Sequence, residues 1–298
     1  MGREKNISIL SKDKTFTLTL ILPWVITFCV FWLYPIIYAG VLSFTHHSTL
    51  TNKSIFVGFD NYIALFKSKV FYKALLNTAI FTFGTVPITT AISLFFAVLI
   101  NSKSAKFKEF YKTAFFMPAV TSLIVISLIF TNLYAQDGYI NIILKSLELP
   151  YPARGWLLET KTALLSIMMM DVWSAVGYYM ILFLAGMQSI PDDLYHSADI
   201  SGASTWQKFK LITLPLLKPT LVFVIFINTI KSFQIFVEVM IMTKGGPLNS
   251  TTTLVYQVYT NAFEKSDGMG YASALAFVVF IILLIFTFVQ QKVMKLKD

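Results

Sequence analysis

Charge is what this sequence has least of. Only 13% of its residues are Asp, Glu, Lys or Arg, about half of the roughly 25% typical of soluble domains. Arginine is rarer still, with Arg3 and Arg154 its two occurrences. A dedicated phosphate clamp inside the apolar part of the chain is therefore disfavoured, because that geometry calls for guanidinium groups. Cysteine is limited to Cys29. No disulfide can form within the chain, and Cys29 is expected to be a small buried hydrophobe. The three histidines, His46, His47 and His196, have no Cys/His cluster to complete a metal site, so no metal is expected. No Gly-x-x-x-x-Gly-Lys-Ser/Thr loop occurs, so nucleotide binding by that route is excluded. No catalytic constellation is visible.

What replaces charge is hydrocarbon. The sequence is 56% hydrophobic and 16% aromatic over 298 residues, with mean hydropathy +0.69. Runs of about 20 apolar residues, enough to cross a bilayer as helix, recur along it. Hydrocarbon admits only helices and closed barrels, because backbone polar groups must be paired within the protein. The runs are continuous rather than alternating, so an all-α membrane protein is expected, as one membrane domain over residues 1–298. Six transmembrane helices are expected near 16–43, 75–100, 111–134, 162–187, 217–242 and 271–291. Pro23, Pro35, Pro87 and Pro118 fall inside spans, where they are tolerated as kinks. The first run follows a basic N-terminus and exceeds a signal-peptide core, so a retained anchor is expected.

The net charge of +9 fits membrane topology better than a nucleic-acid partner. With the N-terminus inside, inner segments carry Arg3, Lys5, Lys12 and Lys14, then Lys103, Lys106, Lys108 and Lys112, then Lys208, Lys210 and Lys218, then Lys292, Lys295 and Lys297. The outer loops hold fewer basic residues in longer stretches. Both termini are thus expected to be cytoplasmic. Val57 to Phe66 on the outer side reads as an amphipathic helix at the interface.

One polar island interrupts the apolar runs, from Ile190 to Pro219. Asp192 and Asp193 follow Pro191 as at a helix start. Gly202 is placed to end that helix. Trp206, Phe209 and Leu211–Ile212 sit at helical spacing on a second arm, and Pro215 and Pro219 close the segment. Two short helices at a glycine corner, on the cytoplasmic side, make a docking handle for another protein.

Polar residues also stand inside spans. Asn228, Lys231, Gln234 and Glu238 fall within an arc of roughly 120° on a continuous helix. A charge in lipid costs about 2.5–3.5 kcal/mol at least, so this arc should face helices or water. Asp171, Ser174 and Tyr178, with Trp173 beside them, lie on the fourth span, and Asp171 is expected to pair with Lys231. These groups are either a packing network or a polar pathway. A sugar path would combine amides and carboxylates for hydroxyls with Trp173, Tyr178 and Tyr179 for ring faces. Asp171 and Glu238 inside spans also leave open an ion-coupled secondary carrier, and a poreless assembly scaffold is a third class.

The island resembles the EAA loop of binding-protein-dependent ABC importer permeases. Ala198, Gly202, Ala203, Phe209, Ile212, Leu214, Pro215 and Pro219 match that pattern, while His196-Ser197 replace its Glu-Ala and Ser201 its Asp. Ser232-Phe233-Gln234 with Thr243, Gly245, Gly246 and Pro247 is similar to a segment of the sugar-type branch, as are Leu184–Pro191 and Gly270–Ala274. The resemblance implies a type I importer permease with a coupling loop at 190–215. Tyr195, His196, Ala198, Ser201, Gly202, Ala203, Phe209, Leu214 and Pro215 would meet the ATPase. It implies a non-hydrolytic subunit in the bacterial cytoplasmic membrane. Its partners would be a second related permease, two copies of an ATPase that binds ATP and magnesium, and an extracytoplasmic solute-binding protein. The implied cargo is a sugar, or alternatively glycerol phosphate or another polyol phosphate.

Overall fold

The computed structural model describes residues 16–17, 19–49, 51, 53–102 and 106–295. Arg3, Lys5, Lys12, Lys14, Lys103 and Lys297, which enter the orientation argument, lie outside the described residues. The fold is helical throughout apart from one short hairpin. Two compact units are distinguished. One holds the chain up to Phe66 with Thr260–Phe277, the other Lys67–Tyr259 and the chain from Val278.

In the first unit, α1 (Thr19–Ser43) has no buried residue in its most apolar window. Apolar on all sides, it suits a surround of hydrocarbon or of another chain. Cys29 accordingly stands exposed, a correction to the buried position expected of it. The helix widens into a single π turn at Cys29–Leu33, two residues before Pro35. Proline cannot donate to the carbonyl four residues back and its ring presses on it, and a wider turn relieves both. Strands β1 (Thr45–Ser48) and β2 (Lys53–Phe56) then form an antiparallel hairpin with Thr45 opposite Phe56. Helix α2 (Asp60–Lys67) closes this unit on itself. Asn61 Nδ2 donates to the Ser43 and Thr45 carbonyls, each at 2.9 Å, and the rings of Phe44, Phe59 and Tyr62 pack together.

The second unit is built on α3 (Lys69–Asn101), α4 (Lys108–Val120), α5 (Leu123–Leu133) and α7 (Ala163–Gln188), with α6 (Tyr139–Ser146) in the intervening loop. Helices α8 (Asp192–Ile200) and α9 (Thr205–Lys208) carry the polar island. They are followed by α10 (Lys218–Phe233), α11 (Val237–Met242), α12 (Leu254–Phe263) and α13 (Met269–Lys295); α12 and α13 each run across the boundary between the units. Among the described residues, five helical stretches, counting α10 and α11 as one, are long and apolar enough to cross a membrane, or six if a bent pair is taken as one span. The third expected interval is instead a pair, α4 and α5, bent by 94°. Pro118 removes a bond from the last turn of α4, and Thr121 and Ser122 adopt extended ψ values near 146° and 124°. The fifth interval is also broken, at Gln234–Phe236, where Phe236 takes φ −147° and ψ −57°.

Small and hydroxylated side chains set the helix spacing, as expected where no hydrophobic force separates helix from lipid. On α3, Thr78, Thr82, Thr85, Thr89 and Ser93 form one buried stripe. Ser93 Oγ donates to the Val176 carbonyl of α7 at 2.9 Å. A methyl group at Gly177 would stand 1.7 Å from the Phe115 carbonyl of α4, and one at Gly186 2.5 Å from Thr220 Oγ1 of α10. Two apolar clusters fill the rest, one around Phe81, Ile167, Met170 and Val239 and one around Ala97, Tyr179, Phe183 and Val224. Because Gly177 meets backbone, which cannot swing away, Gly177→Ala should lower stability by about 1–3 kcal/mol. Thermal unfolding in detergent checks this; a melting curve unchanged from wild type would refute the close α4–α7 crossing.

Candidate functional site

The polar island forms a two-armed elbow. Pro191 leads into α8, and Asp192 and Asp193 occupy its first turn, next to the positive end of the helix. The helix stops through paired backbone bonds, with Ala203 N–H donating to the Ala198 carbonyl at 3.0 Å and Gly202 N–H to Asp199 at 3.1 Å. This Schellman arrangement needs a left-handed residue, and Gly202 supplies φ +72°. Ser204 starts the second arm. Its hydroxyl accepts from Gln207 N–H at 3.3 Å, while Gln207 Oε1 accepts from Ser204 N–H at 2.7 Å. That reciprocal cap is written in the sequence as Ser-x-x-Gln, ahead of the apolar spacing from Trp206 onward.

Two contacts fix the angle between the arms. Tyr195 Oη and Thr213 Oγ1 are hydrogen-bonded at 2.9 Å, and Lys208 Nζ meets Asp199 Oδ1 at 2.6 Å. The second pair is exposed and contributes at most about 1 kcal/mol, so its effect is on register rather than stability. The second arm continues through a π turn at Phe209–Thr213 into Leu214–Leu216, with Pro215 two residues past the turn, the same relation as before Pro35. His196, Ser201, Gly202 and Pro215 are exposed, while Ala198, Ala203, Phe209 and Leu214 are half-buried. Ile200, Trp206 and Leu211 project their apolar side chains outward, Ile200 being 90% exposed.

Inside the spans, Lys231 Nζ of α10 donates to Asp171 Oδ1 of α7 at 3.3 Å. Asp171 is buried, and the Lys231 side chain is 45% exposed. Lys231 borders a cavity of about 380 Å³ with Ser174, Tyr178, Tyr179, Thr121 and Ile227. The four polar residues of this interval do not share one face as a continuous helix would require. Asn228 and Glu238 are buried, Lys231 and Gln234 exposed; the break at Gln234–Phe236 puts Glu238 on a separate helix, while Asn228 and Lys231 differ within α10. Trp173 is parted from Tyr178 as well. It packs on Phe130 with ring centroids 5.2 Å apart and lines a different cavity, of about 760 Å³ and bounded almost wholly by apolar side chains such as Ile88, Phe115 and Met169. Thr121 and Ile227 are site residues the sequence did not single out. Neither residue type marks a site, and only the bend after Val120 brings Thr121 there.

The sequence profile of the "binding-protein-dependent transport system inner membrane component" family matches residues 54–295, covering both the elbow and the ion pair. The chain belongs to that family. Among similar members, an arabinooligosaccharides transport system permease protein of Bacillus subtilis is 37% identical over 273 residues, covering 91% of this chain and 85% of that protein. A lactose transport system permease protein of Rhizobium radiobacter is 33% identical, covering 90% of each. A solved bacterial ABC transporter involved in import of the acidic polysaccharide alginate contains a chain of the same fold, with TM-score 0.83 at 21% identity over 97% of this chain and 98% of that one.

For this inner membrane component the broken span makes a graded expectation. In a Cys29→Ser background, Lys231→Cys and Gln234→Cys should react readily with a membrane-impermeant maleimide, and Asn228→Cys and Glu238→Cys at least about tenfold more slowly. Equal labelling at all four positions would contradict this sorting by burial.

Proposed function

We propose that this chain is the membrane-spanning permease of an ATP-driven sugar importer. It forms half of the translocation path with a second related permease. Two ATPase subunits, which hold the ATP and magnesium, dock on the cytoplasmic elbow, and an extracytoplasmic solute-binding protein delivers cargo. Both termini are cytoplasmic. This chain hydrolyses nothing and needs no cofactor of its own.

The observation that carries this reading is the continuity between the elbow and the polar pair. Fixed at both ends and across its corner, the elbow passes into α10 with a wide turn, the short helical turn Leu214–Leu216 and one residue, Leu217, between. Thirteen residues separate Lys218 from Lys231, or roughly 20 Å of helix at 1.5 Å per residue. A displacement of Gly202 by a motor below can therefore travel as rigid-body motion to the Lys231–Asp171 contact. The exposed Ile200, Trp206 and Leu211 are the kind of apolar knobs a docking partner would cover. The family description names dependence on a binding protein, and two relatives are named for saccharides. A cavity bordered by Tyr178, Tyr179, Ser174 and Lys231 offers rings for the apolar faces of a sugar and donors for its hydroxyls.

Gly202 provides the test. Apart from Gly202 and its two chain neighbours, no described atom lies within 4 Å of a β-carbon added there, so substitution acts through the backbone or through the partner. Asn tolerates left-handed geometry, whereas a β-branched residue does not, at a cost of about 1–2 kcal/mol. In the assembled transporter, Gly202→Asn should keep most uptake. Gly202→Val should reach the membrane in normal amount but lose most uptake, with ATP hydrolysis no longer stimulated by the binding protein. Wild-type uptake by Gly202→Val would overturn the lever.

A further inference from the structure

We infer that Asp171 sets the charge preference of the cargo path, by neutralising Lys231 so that the cavity receives uncharged saccharides and turns away carboxylated ones. This rests on the importer reading above. The fold does not decide cargo charge, since the alginate transporter that shares it is named for an acidic polysaccharide. The local charges must decide. Lys231 is the cation that borders the cavity of Ser174, Tyr178 and Tyr179. On its own it would attract a carboxylate. Asp171, buried on α7, sits 3.3 Å from its ammonium. A second buried carboxylate, Glu238, lies within electrostatic reach of both.

The three groups thus sum to no more than zero, whichever protonation state Glu238 adopts. No arginine is present in any span to add positive charge. An approaching uronate meets an ion pair whose field is largely cancelled, and it would have to give up its own hydration without a free cation in return. A neutral sugar gives up less. The remaining donors of the lysine, with the Tyr178, Tyr179 and Ser174 hydroxyls, are suited to its hydroxyl groups. Asp171 therefore acts on cargo through Lys231, as a positioning residue.

The experiment uses the purified permease–ATPase complex without binding protein, so that selection upstream does not mask the site. The neutral probe is whichever of lactose or arabinotriose the wild-type complex binds more tightly by calorimetry. The acidic probe is the same sugar with one primary hydroxyl oxidised to a carboxylate. Wild type should prefer the neutral probe by roughly tenfold or more. Asp171→Asn should shrink that ratio by about tenfold or invert it. Lys231→Gln should retain the preference, and Asp171→Asn with Lys231→Gln should restore it, which a merely structural loss would not do. Ile227→Lys adds an unpaired cation to the same cavity with the pair intact, and it should give the same gain for the acidic probe should Asp171→Asn not assemble. An unchanged ratio in these variants, or a gain that persists in the double variant, overturns the inference while leaving a sugar importer standing. No binding of either neutral probe overturns the sugar reading and this inference with it.

Discussion

A backbone carbonyl or amide left unpaired in hydrocarbon costs several kcal/mol, and this chain interrupts its apolar helices repeatedly. The break in the fifth interval is matched by side chains that pair the freed groups. At Gln234–Phe236 the Ile235 carbonyl accepts from Thr253 Oγ1 at 3.0 Å. The loop that follows the break is held from α3, where Asn77 Nδ2 donates to the Asn249 and Thr252 carbonyls and Thr78 Oγ1 accepts from Leu254 N–H. Thr251 and Thr252 donate to the Gly246 and Gly245 carbonyls within the same loop. Asn77, Thr78, Thr251, Thr252 and Thr253, buried in an otherwise apolar chain, are explained by this need. They are what allows a span to be broken beside a polar site.

The breaks and the rigid stretches divide the labour. α10 runs unbroken from the elbow as far as Phe233, and it gives way only past Lys231. α4 likewise ends at Val120, next to Thr121 and Pro118, which border the same cavity as Lys231. Rigid rods thus end at the polar cavity from two sides. Motion delivered along either would be absorbed there rather than dissipated earlier. The two π turns are consistent with this. Each accommodates a proline without ending its helix, so proline marks no hinge at Pro35 or Pro215.

The helices themselves were largely legible, since an apolar run of sufficient length has few alternatives in a bilayer. Pro118 marked the bend in the third interval, but the break in the fifth was not legible. Gln234-Ile235-Phe236 contains neither glycine nor proline, and the group that stabilises its opening, Thr253, is far along the chain. Local pattern cannot report such a partner. The separation of Trp173 from Tyr178 was legible but unused. At 100° per residue Trp173 lies about 200° from Asp171, on the opposite face, whereas Tyr178 returns to within about 20° of it. Cys29 was misplaced because burial was assumed where the first helix offers no core. At the elbow, Pro191, Gly202 and Pro215 carried the outline, because each is tied to one backbone geometry. The Tyr195–Thr213 and Asp199–Lys208 contacts that set its angle depend on the corner having already formed.

The Asp171–Lys231 pair is best understood by asking what the fold would lose without it. Ion pairs in dry surroundings are poor stabilisers, and apolar residues of similar volume often serve as well or better. α7 is already seated by contacts that involve no charge, at Gly177 against α4, Gly186 against α10 and Ser93 from α3. A helix so held has no need of a costly aspartate to find its place. The pair also does not stand in the best-packed region, since Lys231 keeps nearly half of its side chain open to a cavity. A charged pair that packing does not require, placed where two helices end and space remains, fits the proposed role beside the cargo path better than a role in packing.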